Sequence, residues 1–169
     1  EEELNDLIEI YKEWKKSGRE RKEFLRALAR TQGFYVPSFY DIEYYEDGRI
    51  KSITPNEPDA PPMAVRRIVE DFENAYYPVK PVVPYIEAVH DRVMLEILRG
   101  CRFCQAGYIY RPVRERSVNK LCELAEETIK NTGYDEISLT SLSSGDYSRL
   151  PELLERMSDA FKGRRVTCS

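Results

Sequence analysis

The sequence predicts a mixed α/β protein whose second half, residues 86–169, is built from parallel β–α–β units. Two observations predict it. A short apolar run at residues 93–100 ends at a glycine and precedes an amphipathic helical pattern, and the same order of strand and helix then repeats. Strands joined by helices of these lengths pair in parallel through right-handed crossovers. Residues 1–85 differ in composition and are predicted to form a small α+β accessory region.

The accessory region is predicted to contain three helices and a hairpin. Apolar residues recur at helical spacing over residues 3–16, and again in a second short helix that stops near Gly33. Residues 39–54 are aromatic and β-branched around an Asp-Gly dipeptide, which is a hairpin signal. Apolar spacing predicts a third helix over residues 64–75, with proline-rich connections on both sides.

The parallel region is predicted to hold three strands and two capped helices. Ser117 and Ser148 can each cap the start of a helix, and Gly133 and Gly163 can each end one. The predicted strands occupy residues 93–100, 136–143 and 164–169. The last strand would lack a covering helix and leave an open edge, so we expect a part of a longer protein or of an assembly.

Composition argues against several classes of function. The 169 residues are 41% hydrophobic and 33% charged, with a formal net charge of −4, so nucleic-acid binding is not indicated. No apolar run approaches the roughly 20 residues of a membrane span, and the acidic first residues are unlike a signal peptide. Four cysteines without a secretory signal indicate a reducing compartment, the cytoplasm. Because His90 is the one histidine, the sequence offers few residue combinations for a Ser-His-Asp triad.

Two loops at the carboxyl ends of predicted strands are candidate sites, because parallel α/β sheets carry their chemistry there. The loop over residues 99–116 holds Cys101 and Cys104, whose spacing lets two thiolates bind one metal ion or cluster. The loop over residues 143–147 has small residues that let a ligand approach the backbone closely.

Two other uses of the cysteines are disfavoured. A redox-active pair needs a helix N-terminus to lower a thiol pKa, and the predicted helix start at Ser117 lies too far from Cys104 to supply one. A four-cysteine zinc site would need Cys122, beside a core leucine of a helix, and Cys168, on the third strand. These two are expected to be small buried residues instead.

The segment LEILRGCRFCQAGYIYRPVRERS, residues 95–117, resembles the cluster loop of radical S-adenosylmethionine (radical SAM) enzymes. More narrowly, the chain resembles an uncharacterised family in which a cobalamin-binding-type domain precedes the radical SAM barrel. The similarity extends upstream through YVPSFYDIEY and SITPNEPDAPP, and downstream through YDEISLTSLSSGDYS. It implies an α/β fold with a partial parallel (β/α) barrel of radical SAM type, about three strands being present, after the α+β accessory region.

The family motif, Cys-x3-Cys-x2-Cys, implies a 4Fe–4S cluster that cleaves S-adenosylmethionine to a 5′-deoxyadenosyl radical, with cobalamin bound elsewhere in the intact parent. Cys101 and Cys104 match the second and third cluster ligands. Phe103 matches an aromatic residue that packs near the adenine, and Gly107 matches a small residue after the cluster. By position, a second loop would meet the methionine end of the cofactor, and its residues are Ser143, Ser144, Gly145 and Asp146.

The charged side chains near the cysteines have two interpretations each. Arg111, Arg114 and Arg116 either hold anionic groups of cofactor or substrate, or form local ion pairs in a solvated loop. Glu96 either points into the barrel as a polar site residue or pairs with a nearby arginine, which is the favoured interpretation.

The chain departs from the family motif at its first cysteine. The motif places that cysteine where the chain has Ile97, as though a Cys-x-x-Gly unit were missing between Gly100 and Cys101. Either the protein lacks this unit or the printed sequence omits it, and an intact mass separates the two. With two thiolates we expect a labile or absent cluster and little or no activity, and the remainder of the barrel or a partner subunit would be needed.

The alternative function is a non-enzymatic zinc-binding or protein-interaction fragment. Its cysteine pair would hold zinc, with a partner's ligands, and its tyrosine-rich accessory region would bind another subunit. Neither interpretation identifies a substrate.

Overall fold

The computed structural model describes residues 2–86 and 88–169. It divides into two compact units, Glu1–Glu70 and Asp71–Ser169. The division lies upstream of the domain boundary that the sequence predicts after residue 85. Among the described residues, no helix has the length and apolar character that a membrane span requires.

The first unit contains two helices and a hairpin, as predicted. Its elements are α1 (Glu2–Ser17), α2 (Arg21–Ala29), β1 (Tyr40–Tyr44) and β2 (Ile50–Pro55). The helices pack through an aromatic contact, in which the ring centroids of Trp14 and Phe24 lie 5.3 Å apart. The strands pair antiparallel, with Ile42 opposite Ile53. At the tip of the hairpin, Gly48 has a φ of +82°, a conformation that glycine adopts without steric cost.

The helix predicted over residues 64–75 is wrong, because the chain there is irregular. Carbonyl groups that a helix would use internally accept hydrogen bonds from another part of the unit. The Val65 carbonyl accepts the Gly33 N–H at 3.0 Å, and the Arg66 carbonyl accepts the side-chain amide of Gln32 at 3.1 Å. Tertiary hydrogen bonds therefore override the helical spacing of the apolar residues.

The second unit contains a three-stranded parallel sheet and two longer helices. In chain order its elements are β3 (Val93–Glu96), β4 (Leu98–Arg99), α3 (Gln105–Ile109), β5 (Arg114–Glu115), α4 (Val118–Thr132), β6 (Glu136–Thr140), α5 (Leu150–Ala160) and β7 (Thr167–Cys168). The sheet has the order β3-β6-β7, with Val93 opposite Ile137 and Ile137 opposite Cys168. A mixed α/β fold with a small parallel sheet is thus confirmed, and within the described residues the sheet does not close into a barrel.

The core of the second unit lies between the sheet and its two longer helices. Alternate strand residues point into it, which is the periodicity of two that a half-covered strand requires. The fully buried side chains include Leu95 of β3, Ile137 of β6, Leu121 of α4 and Leu153 of α5. Met94, on the opposite face of β3, is exposed.

The predicted start and end of α4 are confirmed, whereas the predicted start of α5 is wrong and α5 ends at Ala160, before Gly163. The Ser117 hydroxyl accepts the Lys120 N–H at 3.1 Å at the start of α4, and Gly133 ends that helix in the left-handed conformation. Ser148 does not cap α5, because its backbone N–H and hydroxyl both donate to the carboxylate of Glu115. The helix begins instead after Arg149, which makes no side-chain cap.

The strand predicted over residues 93–100 is interrupted at Ile97. This residue is fully buried, and its backbone N–H still donates to the Thr140 carbonyl at 3.0 Å. Beyond it, β4 turns away from the parallel sheet and pairs antiparallel with β5. The interruption therefore separates the core strand from the loop that carries the cysteine pair.

Candidate functional site

The base of the cysteine loop is closed by a two-residue ladder. Leu98 lies opposite Glu115, and Arg99 opposite Arg114. Gly100 follows with a φ of +88°, and a Cβ atom on it would lie 2.7 Å from the Tyr110 carbonyl oxygen. A larger residue would be strained by both its φ and this contact, so glycine is strongly favoured at position 100.

Cys101 lies inside the loop and packs against Gly107. Its side chain is only 6% exposed. A Cβ atom on Gly107 would lie 2.3 Å from the Cys101 sulfur and 2.7 Å from the Cys101 carbonyl oxygen. Since real Cβ atoms do not approach other atoms so closely, the packing requires glycine at position 107. The small residue that the family resemblance implies at this position has a physical cause in this chain.

Cys104 has the opposite environment. It is exposed and immediately precedes the short helix α3. The nearby backbone N–H groups of Gly107 and Ala106 lower the pKa of the Cys104 thiol, against an opposing effect of burial. The argument that no helix begins near Cys104 is therefore wrong. Sequence reasoning missed α3 because its five residues carry no apolar period and follow no Ser, Thr, Asp or Asn cap.

The other two cysteines lie apart from the loop. Cys122 is buried in α4, as expected, and burial raises the pKa of its thiol. Cys168 is exposed on β7, so the expectation of a buried residue is wrong there. In the part of the chain that the structure describes, no three or more Cys, His, Asp or Glu side chains are grouped so that they could hold a metal ion. A four-cysteine zinc site is therefore not assembled there.

The donor set does not fit a 4Fe–4S cluster. A cluster with an open iron needs three thiolates on one side of a loop. The described residues offer two cysteines in this loop, one buried against Gly107 and one exposed, with no third ligand grouped with them. Phe103, between the two cysteines, is 95% exposed.

The second predicted loop leaves the same edge of the sheet. Strands β3 and β6 are parallel neighbours, so the chain segments that follow them emerge together. The loop is stiffened by serine hydrogen bonds: the Ser143 N–H donates to the Ser141 hydroxyl at 3.0 Å, and the Ser144 hydroxyl donates to the Leu139 carbonyl at 3.2 Å. A Cβ atom on Gly145 would meet no atom within 4 Å, so the space beside it is open. Asp146 ends the short 3-10 turn.

The three arginines of the loop have structural partners. Arg116 is 4% exposed, lies 4.8 Å from the Phe72 ring centroid, and donates to the Ala75 carbonyl at 3.2 Å. Arg114 donates to the Tyr110 and Pro112 carbonyls, both at 3.1 Å. These two side chains hold the loop and its surroundings together. A role in binding anions stays a prediction.

Arg111 and Glu96 are also engaged by neighbouring side chains. The Arg111 guanidinium lies 5.0 Å from the centroid of the Tyr108 ring. The Glu96 carboxylate accepts two hydrogen bonds from Arg99, at 2.8 and 2.5 Å. The favoured interpretation of Glu96, an ion pair with a nearby arginine, is confirmed.

Two further residues position the loop, and neither was found from the sequence. The Tyr147 hydroxyl donates to the Arg116 carbonyl at 2.7 Å from a site that is 3% exposed, and burial raises the pKa of Tyr147 to about 12. The Glu73 carboxylate accepts the Ser117 N–H at 2.7 Å. No local sequence signal identifies either contact, because each joins residues far apart in the chain.

No family model matches the chain. It is 31% identical over 129 residues to an uncharacterised protein of Methanocaldococcus jannaschii. The aligned segment covers 71% of this chain and 26% of that relative, so the chain spans about a quarter of the relative's length.

Proposed function

We propose that the chain is the cluster-loop portion of a radical SAM-type protein, in which residues 99–116 are the remains of the cluster-binding loop. One observation carries the proposal. The cysteine pair that resembles the family motif lies in a loop beyond the carboxyl end of β3, beside the loop that follows β6. In parallel α/β folds, binding sites form at this edge of the sheet.

The arrangement of helices around the sheet supports the finer fold proposal. The core between β3, β6, α4 and α5 leaves the other face of β3 uncovered, as in about three strands of a (β/α) barrel whose remainder lies elsewhere. The parent would also contain the sites for S-adenosylmethionine and cobalamin that the resemblance implies. We place it in the cytoplasm, where thiols stay reduced.

The chain by itself is proposed to be incompetent for the cleavage of S-adenosylmethionine. Its loop supplies two thiols where the family uses three, and Cys101 is packed against Gly107 rather than turned toward a shared ligand. The missing ligand belongs between Gly100 and Cys101, where the loop begins.

Restoring the missing ligand tests the proposal. A variant with Cys-Ala-Ala-Gly inserted between Gly100 and Cys101 is compared with the unaltered chain and with a control that has Ser-Ala-Ala-Gly inserted at the same place. Each protein is treated anaerobically with iron(II) and sulfide, desalted, and analysed for iron, sulfide and charge-transfer absorbance. We expect a brown, iron- and sulfide-containing protein for the cysteine insertion alone.

Two results would contradict the proposal. Equal iron and sulfide in the cysteine and serine insertions would show that this loop does not hold a cluster. Robust formation of 5′-deoxyadenosine by the unaltered chain would refute its proposed incompetence. Colourless protein with stoichiometric zinc would instead support the alternative, a zinc-binding or interaction fragment.

A further inference from the structure

We propose that Cys101 and Cys104 form a thiol–disulfide exchange site in this chain, which closes to an intramolecular disulfide when a low-molecular-weight disulfide reacts with Cys104. The inference goes beyond the proposed function and does not rest on it, because it concerns the chain without iron. It follows from the mismatch between the two cysteines of this loop and the three thiolates that a 4Fe–4S cluster with an open iron needs.

The two cysteines meet at one turn of the chain. Cys104 begins this turn, which the Tyr108 N–H closes on the Cys104 carbonyl at 3.0 Å. The Cys101 sulfur lies 2.3 Å from the point that a Cβ on Gly107, in the same turn, would occupy, so the absence of a side chain at position 107 lets Cys101 pack against the turn that begins at Cys104. Two residues separate the cysteines, and closing a disulfide requires the exposed Cys104 side chain to turn toward Cys101.

The different exposure of the two thiols sets the order of events. Cys104 is exposed and accessible to a reagent in solution, whereas Cys101 is 6% exposed and packs against Gly107. An accessible attacking thiol beside a protected resolving thiol is the arrangement in which a mixed disulfide is short-lived.

The reaction is a two-electron exchange with oxidised glutathione as the oxidant. The Cys104 thiol loses its proton to solvent, and its sulfur attacks one sulfur of glutathione disulfide, so that one glutathione leaves as a thiolate. The Cys101 thiol then loses its proton, and its sulfur attacks the Cys104 sulfur and releases the second glutathione. Two protein thiols become one disulfide, and one glutathione disulfide becomes two thiols after the thiolates take up the protons.

The remaining cysteines serve as internal controls. Cys122 is buried in α4 and is not expected to react in the folded protein, whereas Cys168 is exposed on β7, at the opposite edge of the sheet from β3. Cys168 should therefore keep glutathione attached, as an exposed thiol without a resolving partner does.

The experiment is oxidation of the metal-free chain in glutathione buffers that contain a chelator, followed by acid quenching, alkylation, intact mass and peptide mapping. We expect Cys101 and Cys104 to lose two hydrogen atoms together and to carry no glutathione. Cys101→Ser should leave glutathione on Cys104, and Cys104→Ser should leave Cys101 as a free thiol. Stable glutathione on Cys104 of the unaltered chain would overturn the proposal, as would a disulfide between Cys104 and Cys168.

A pair of glycine variants tests the geometry. Gly107→Ala places a methyl group where the Cys101 sulfur lies, whereas Gly145→Ala enters open space and is the control. Because overpacking displaces the sulfur, Gly107→Ala should slow release of the second glutathione about tenfold. An unchanged rate in a folded Gly107→Ala protein would refute the proposed site. The cluster experiment can fail or succeed without affecting this result, because no iron is present here.

Discussion

The carboxylate of Glu73 accepts the backbone N–H of Ser117 at 2.7 Å and also accepts its hydroxyl proton. Ser117 in turn caps α4 through the Lys120 N–H. A negative charge from a distant segment thus sits at the positive end of the helix dipole, where anions are stabilised. Through this contact residues 71–79 are fixed on α4 directly beside the end of the cysteine loop.

Replacement of Glu73 should lower the free energy of unfolding. Glu73→Gln keeps one acceptor oxygen but removes the charge, so we expect a loss of about 1 kcal/mol. The control is Glu127→Gln on the exposed face of α4, where we expect a change within about 0.5 kcal/mol. Urea denaturation followed by circular dichroism measures both. Equal effects of the two changes would show that the contact at Ser117 contributes nothing.

Tyr147 should make stability depend on alkaline pH. Burial, with a smaller effect of Glu115, raises the pKa of Tyr147 to about 12, above the usual tyrosine value of about 10. Because the pKa is higher in the folded protein, the stabilising contribution is fully present below pH 10 and is lost as the pH rises through the folded pKa.

The prediction for Tyr147 is tested by comparing the stability of wild type with that of a Tyr147→Phe variant over a range of pH. Tyr147→Phe removes the hydrogen bond to the Arg116 carbonyl and should cost about 1 kcal/mol near neutral pH. The gap between wild type and variant should shrink as the pH rises from about 10 to about 12, between the pKa of tyrosine in the unfolded chain and that of Tyr147 in the folded protein. Tyr76→Phe, at an exposed position, should show no such convergence. A constant gap for Tyr147→Phe would contradict the raised pKa.

Elements with local signals at both ends were predictable from the sequence. Helix α4 has a serine cap and a left-handed glycine, and both lie within its own sequence. The helix expected over residues 64–75 failed because its carbonyl groups pair with Gln32 and Gly33, which no local pattern encodes. The short helix α3 was missed for a different reason: its five residues carry almost no helical signal in the sequence.

The site was predictable in position but not in detail. Strand order places Cys101 and Cys104 in a loop at the carboxyl edge of the sheet. Their opposite exposure depends on the contact with Gly107, and the burial of Arg116 depends on aromatic rings from residues 71–79. The exposure of the cysteines and the burial of Arg116 are set by packing between distant segments, so residue spacing along the chain does not predict them.

The ion pair of Glu96 and Arg99 should contribute a small, salt-dependent stability. The side chains are 37% and 27% exposed, so solvent screens the pair, although its geometry is bidentate. A double-mutant cycle with Glu96→Gln and Arg99→Met should give a coupling free energy of about 0.5–1 kcal/mol at low salt. We expect it to fall in molar sodium chloride. A coupling near zero at low salt would show that the pair is only a solvated contact.

Gly100, at the base of the cysteine loop, should be more sensitive to substitution than Gly133. It combines a φ of +88° with a Cβ position 2.7 Å from the Tyr110 carbonyl oxygen, whereas Gly133 has a φ of +74° and no atom within 4 Å of its Cβ position. Gly133→Ala therefore measures the cost of the backbone conformation alone, about 1–2 kcal/mol. Gly100→Ala adds the steric contact and should cost about 1 kcal/mol more.

The segment that becomes accessible in the Gly100→Ala protein distinguishes local opening of the loop from global unfolding. Because Gly100 lies at the base of the loop, Gly100→Ala should speed proteolytic cleavage within residues 101–113 more than Gly133→Ala does, at concentrations of urea that leave both proteins folded. Hydrogen exchange at the Arg116 N–H, which donates to the Ile97 carbonyl at 3.1 Å just outside the ladder, reports the same opening. If both glycine variants lose equal stability and the loop keeps its protection, the Tyr110 carbonyl moves aside at little cost and the base of the loop tolerates a side chain at position 100.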